Sequence, residues 1–232
     1  MSILVVVAHP DDEVLGCGAT VAAATAAGVR ARTCILSGTA SARRHRPEGD
    51  QLTGHARRAS ASLGLGEPIL GDFPNIALNT VPHLELVRFI EQAMEETGAT
   101  TIFTHHPADL NNDHLHVSLA AQAAARLFQR RAGIAPLGAL YFMEVLSSTD
   151  WGFPVATAPF RPDAFARVTA EQADRKIAAL REYEGVMRPF PHSRSEEAVR
   201  AQMALRGAQA GVEAAEAFQT AFVALDPSRL GA

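Results

Sequence analysis

The chain reads as an α/β protein of Rossmann-like type, a mostly parallel sheet flanked by helices on both faces within a single domain. Three observations predict it. Strand-like apolar runs alternate with helical stretches through the first 130 residues. The first run, residues 3–8, is continuously apolar, as a strand buried on both faces must be. The His- and Asp-rich segments directly follow strand-like runs, where the carboxyl ends of parallel strands place ligand sites.

The elements follow in order. Residues 14–27 are rich in Ala, Val and Leu and predict a helix ending at Gly28, and residues 31–37 predict a second strand. Residues 38–51, with Gly, Pro and clustered Arg, predict an exposed loop. A helix over 53–63 ends at Leu63-Gly64, where glycine suits the C-cap, and 68–72 is a short third strand. In 82–97, Leu84, Val87, Ile90 and Met94 recur at helical spacing. A fourth strand at 100–104, a helix over 114–130 and a strand at 140–145 complete an α/β core over 1–145. The remainder, 146–232, reads as a loop-rich and helical part of the same domain. It has a loop over 146–162, a helix over 170–185, a loop over 188–194 and a last helix over 196–223. No repeat or long linker divides the 232 residues, so the expected domain is 1–232.

Composition narrows the function. The net charge of −4 does not suit a general nucleic-acid binder, and no apolar run is long enough for a membrane span. The N-terminus lacks a basic segment and a small-residue cleavage site, so a cytoplasmic protein is expected. Cys17 and Cys34 read as small buried side chains, since two cysteines make no disulfide framework.

The first chemical cluster is Ala8-His9-Pro10-Asp11-Asp12-Glu13, between the first strand and its helix. His9 and Asp12 flank a reversing turn, so both can reach one point above the sheet, where imidazole and carboxylate suit zinc. Asp11 must point elsewhere and could take a proton from water beside the metal. Glu13 reads as a helix-start acid. A dinucleotide site is rejected: after Gly16 and Gly18 the third glycine position holds Val21, and the second strand ends in Ser37-Gly38-Thr39 without an acid for a ribose. The two glycines instead suit close helix packing.

The second cluster, Thr104-His105-His106-Pro107 through Ala108-Asp109-Leu110-Asn111-Asn112-Asp113-His114, follows the fourth strand. His114 offers the third ligand of a His2Asp site with an open fourth position for water. Asp113 or Asp109 could orient a ligating imidazole, and Asn111 could donate to the oxyanion or the substrate. Asn111 and Asp113 therefore join Asp11 as catalytic candidates. His116 reads as structural.

Together, Ala-His-Pro-Asp-Asp-Glu at 8–13 and Asp-Leu-Asn-Asn-Asp-His at 109–114 resemble the PIG-L/LmbE-like zinc N-deacetylases. Weaker segments agree in order: Gly71-Asp72-Phe73-Pro74-Asn75, residues 142–149, Phe190-Pro191-His192-Ser193-Arg194-Ser195, Arg206-Gly207 and Ala215-Glu216-Ala217-Phe218. The resemblance implies His9, Asp12 and His114 as ligands of one Zn2+ per chain, with other divalent metals able to substitute, and Asp11 as general base. It implies hydrolysis of an N-acyl, most simply N-acetyl, group from a small amino-sugar substrate, and relatives often form homo-oligomers. Two departures stand out. Asn111 replaces a histidine that several members carry three residues before the last ligand. Leu52 and His55 stand where many members carry Arg and Glu.

Substrate-binding candidates are Arg43 and Arg44, which with His45 and Arg46 could grip a phosphate, together with His55 and His192. Tyr183 is a further possible helper. Competing readings are a metal-dependent phosphoesterase, which would usually need two metals and more acids, and a non-catalytic zinc-stabilised sugar-binding protein, which would have no use for a base at Asp11.

Overall fold

A computed structural model describes residues 1–37, 49–153 and 158–225. The strands are β1 (Ser2–Val7), β2 (Arg30–Ile35), β3 (Ile69–Leu70), β4 (Thr101–His105), β5 (Ala139–Met143), β6 (Ala164–Arg167) and β7 (Ala215–Val223). The helices are α1 (Asp12–Ala26), α2 (Gly49–Ser62), α3 (His83–Thr97), α4 (Asn112–Ala124), α5 (Ala170–Arg181) and α6 (Glu196–Ala210). One seven-stranded sheet runs β3-β2-β1-β4-β5-β7-β6. Strands β1 to β5 are parallel to one another, while β7 runs antiparallel to both β5 and β6.

The expected fold class holds: a mostly parallel sheet sandwiched between helices. Alternate residues of β1 serve opposite faces. Ile3, Val5 and Val7 pack with α1, α2, α5 and α6, whereas Leu4, Val6 and Ala8 pack with α3 and α4. All six residues of β1 are buried, which explains its unbroken apolar run.

The C-terminal part departs from the sequence reading. The last helix does not run to Val223; it stops at Ala210, where Gly211 takes φ 71°. Residues 215–223 are instead β7, inserted between β5 and β6. Ala, Glu and Gln there look helical locally, but hydrogen bonding to two strands overrides propensity. The remainder is therefore part of the sheet, not only loops and helices. Three helices or strands are also shorter than expected: α4 ends at Ala124, α5 at Arg181, and β3 has only two residues.

Gly16 and Gly18 have the packing role expected. A Cβ on Gly16 would lie 2.8 Å from Met143 Sδ on β5, and one on Gly18 would lie 3.2 Å from the Lys176 side chain on α5. Between them α1 breaks, with Cys17 at φ −148°, ψ 20°. A buried ion pair serves the break. Glu216 on β7 accepts from the Ala19 and Thr20 amides at 3.1 and 2.7 Å. Lys176 donates to Leu15 O at 2.7 Å and to Glu216 at 2.6 Å. Both cysteines are buried and unpaired.

The strand order also positions the chemistry. From β1 the chain winds outward through β2 and β3, then returns to place β4 on the other side of β1. The β1–β4 junction is thus a topological switch point, and the loops leaving these two strands face each other there.

Candidate metal centre

His9 and Asp12 leave the end of β1, and His114 sits in the first turn of α4. His9 Nδ1, Asp12 Oδ2 and His114 Nε2 form a triangle with sides of 3.3, 3.1 and 3.3 Å. Atoms held about 2.0–2.1 Å from a tetrahedral zinc stand about 3.3 Å apart, so the triangle fits one ion. The three residues are buried, and they form one of two groupings among the described residues able to hold a metal.

The electrostatics also fit a cation. Burial opposes protonation of His114, but the Asp12 charge and the hydrogen bond to Asp109 outweigh it and raise its pKa to about 10. Burial likewise opposes ionisation of Asp12, yet His114 and His9 hold its carboxyl well below the usual range. The cluster therefore attracts positive charge, as a proton or as a metal.

Each imidazole has its own carboxylate. Asp113 Oδ2 lies 3.0 Å from His9 Nε2 and accepts from the Ile76 amide at 2.6 Å, while its Oδ1 accepts from the Leu78 amide at 3.0 Å. Asp109 Oδ2 lies 3.1 Å from His114 Nδ1 and accepts from Thr149 Oγ1 at 2.7 Å. Asp109 Oδ1 accepts from the Asn111 amide at 2.8 Å and from the Ser148 hydroxyl. Such partners fix the tautomer and ring orientation of a metal-binding histidine. Both acids weighed for the orienting role thus face an imidazole.

The second grouping comprises His105, Asp109 and His114. His105 Nε2 already accepts the Ala8 amide at 2.9 Å, so its proton sits on Nδ1. Neither ring nitrogen offers a lone pair to a metal unless that bond is lost. His105 instead stacks on His114, with ring centroids 3.7 Å apart and planes 14° apart.

Three non-glycine residues among those described have positive φ: Asp11 at 103°, Ile76 at 56° and Ser147 at 53°. All three belong to this network. Asp11 adjoins Asp12, the Ile76 amide binds Asp113, and Ser147 Oγ accepts from Arg194 Nε at 3.1 Å. Strain of this kind persists where surrounding structure enforces it, and it concentrates at functional sites.

The other candidates divide. Asp11 is buried, with its amide donating to Glu13 Oε2 at 3.1 Å and its Oδ2 lying 3.2 Å from Arg194 Nη1. Asn111 is the N-cap of α4, its Oδ1 accepting the Asp113 amide at 2.9 Å. His55 packs edge-on against the Tyr183 ring, whose hydroxyl donates to Glu13. Leu52 is core. His192 is exposed, and its Nδ1 accepts the Arg194 amide at 3.0 Å, steadying the turn that delivers Arg194. His106 accepts the Ala108 amide and packs edge-on against Phe142 and Phe160. Arg43 and Arg44 lie outside the described residues. The sequence reading did not single out Arg194, the Ser148 and Thr149 hydroxyls or the Ile76 and Leu78 amides. Their contacts to Asp11, Asp109 and Asp113 span 35 to 183 residues, and only the position of Arg194 close to His192 offered a signal.

Fold and site together define the class: a Rossmann-like sheet with a buried His/Asp/His candidate metal centre at its switch point. The chain belongs to the GlcNAc-PI de-N-acetylase (PIG-L) family, whose model matches residues 4–125. It is 27% identical over 193 residues to the uncharacterized deacetylase YaiS of Escherichia coli, covering 78% of this chain and 89% of that one. The N,N'-diacetylchitobiose deacetylase of Pyrococcus horikoshii superposes with a TM-score of 0.72 at 16% identity, over 94% and 83% of the two chains. GalB, the 4-carboxy-2-hydroxymuconate hydratase of Pseudomonas putida, superposes with a TM-score of 0.78 at 20% identity, over 97% and 98%. The two structural likenesses show a shared fold, which carries more than one chemistry. Among the described residues no helix is long and apolar enough to cross a membrane.

Proposed function

We propose that the protein hydrolyses an N-acetyl group from an amino-sugar-containing small molecule, with one zinc ion per chain held by His9, Asp12 and His114. The observation that carries the reading is the triangle of ligand atoms with sides of 3.1–3.3 Å. The family match and the likeness to a chitobiose deacetylase support an N-acetylated sugar as substrate. A zinc ion held by these three residues would supply Lewis acidity to the scissile amide and to the attacking water.

The chain's own residues do the rest. Asp11 accepts the proton of the attacking water and returns it to the leaving amine. Asp113 and Asp109 keep the two imidazoles in register. The Asn111 amide is fixed by its capping bond through Oδ1, so its Nδ2 is the group assigned to the oxyanion. Arg43, Arg44, His55 and His192 are the assigned substrate contacts.

The test measures acetate release from N-acetyl amino sugars in free, nucleotide-linked, inositol-linked and aminoglycoside forms, before and after chelation. Release that falls on chelation and returns with stoichiometric zinc is expected. Release unaffected by metal removal, or no release from any substrate, overturns the proposal.

A further inference from the structure

Asp11 and Asp12 are adjacent, equally buried carboxylates beside one cation site, and charge alone does not decide which of them ligates. The backbone decides part of it. With Asp11 at φ 103°, its carboxylate meets Arg194 while that of Asp12 meets His9 and His114. Arg194 decides the remainder. Its Nη1 lies 3.2 Å from Asp11 Oδ2, while its Nε donates to Leu146 O at 3.3 Å and Ser147 Oγ at 3.1 Å.

The arginine is itself fixed. Its amide donates to His192 Nδ1 at 3.0 Å, and its carbonyl accepts from the Arg188 amide at 3.2 Å. The next residue, Ser195, is fully buried and caps α6. A planar guanidinium tied at Nε has little freedom to swing, so the carboxylate bound to Nη1 is held as well.

We propose that Arg194 is a positioning residue that keeps Asp11 out of the metal's coordination sphere and so preserves a ligand position for water. The inference rests on the zinc-hydrolase reading above. Catalytic zinc sites have three protein ligands and one open position, and a second aspartate collapsing inward would fill it. Asp11 would then become a ligand and cease to be a base. Removing Arg194 therefore strengthens zinc binding while weakening catalysis, a combination that general loosening of the site does not produce.

The experiment compares wild type, Arg194→Met, Arg194→Lys, Asp11→Asn and the Asp11→Asn/Arg194→Met double variant as purified full chains. Zinc dissociation constants come from chelator competition, and kcat and KM from acetate release. For Arg194→Met the zinc dissociation constant is expected to fall about tenfold and kcat to fall about 10- to 100-fold, with KM within about threefold. Arg194→Lys restores part of kcat, and the tighter binding disappears in the double variant. Zinc binding in Arg194→Met that is unchanged or weaker, tightening that persists without the Asp11 carboxylate, or an unchanged kcat overturns the assignment. A wild type that binds no zinc overturns the metal reading itself, whereas a wild type active with zinc beside unresponsive variants overturns only the role of Arg194.

Discussion

His105 and His114 stack face to face but titrate in opposite directions. Burial, reinforced by the His114 charge, lowers the His105 pKa to about 3, while Asp12 and Asp109 raise that of His114 to about 10 against burial. In metal-free protein the signs follow. Between pH 6.5 and about 3 the unfolded chain protonates His105 and the folded chain does not, so stability falls on acidification, by up to about 1.4 kcal/mol per pH unit. His114 contributes stability that is complete below pH 6.5 and lost as pH rises through about 10. Metal-free His105→Phe should therefore show a shallower loss of stability between pH 6.5 and 4 in denaturant titrations. The Ala8 amide it orphans adds only a constant offset. A slope equal to wild type would remove His105 as the source. At Asp11, Asn substitution should leave zinc content intact and reduce acetate release by about 10²–10⁴-fold, measured on metal-loaded protein.

At the scale of elements, the break in α1 depends on a partner that arrives late in the chain. Lys176 and Glu216 are both buried, and together they satisfy Leu15 O and the Ala19 and Thr20 amides. Removing one partner leaves a buried charge alone. Lys176→Met should cost about 3–5 kcal/mol in chemical denaturation, and Lys176→Met/Glu216→Gln should recover part of that loss. The element below the site behaves similarly. Asp113 joins the Ile76 and Leu78 amides to His9, so Asp113→Ala should weaken zinc binding by about 10- to 100-fold with native helix content retained by circular dichroism.

At the scale of the molecule, the candidate metal site joins the loops leaving β1 and β4 across the switch point of the sheet. A ligand bound only by the folded state adds about 2.7 kcal/mol when present at a hundred times its dissociation constant. For a chain of this length that corresponds to a rise in Tm of about 5–10 °C. Chelation should reverse it, and His114→Ala should show no zinc-dependent shift in calorimetry. Local pattern made the α/β class legible: the continuous apolar β1, the spaced apolar face of 82–97, and glycine after Leu63. The grouping of His9, Asp12 and His114 as candidate ligands was legible because all three lie in the loops and first helical turns that follow β1 and β4, where parallel sheets gather ligands. β7 was not, because its alanines and glutamate carry helical propensity until β5 and β6 supply hydrogen bonds on both sides.

What the sequence determined alone was the kind of chemistry: acid and imidazole side chains at short spacing, attached to turns whose geometry is local. Only the tertiary structure decided how those groups are oriented. The carboxylate behind His9, the arginine on Asp11 and the ion pair within the broken helix are contacts between chain segments far apart in sequence. Residue type and spacing are set by neighbours along the chain, whereas the direction of a side chain within a shared cluster is set by what packs against it from elsewhere.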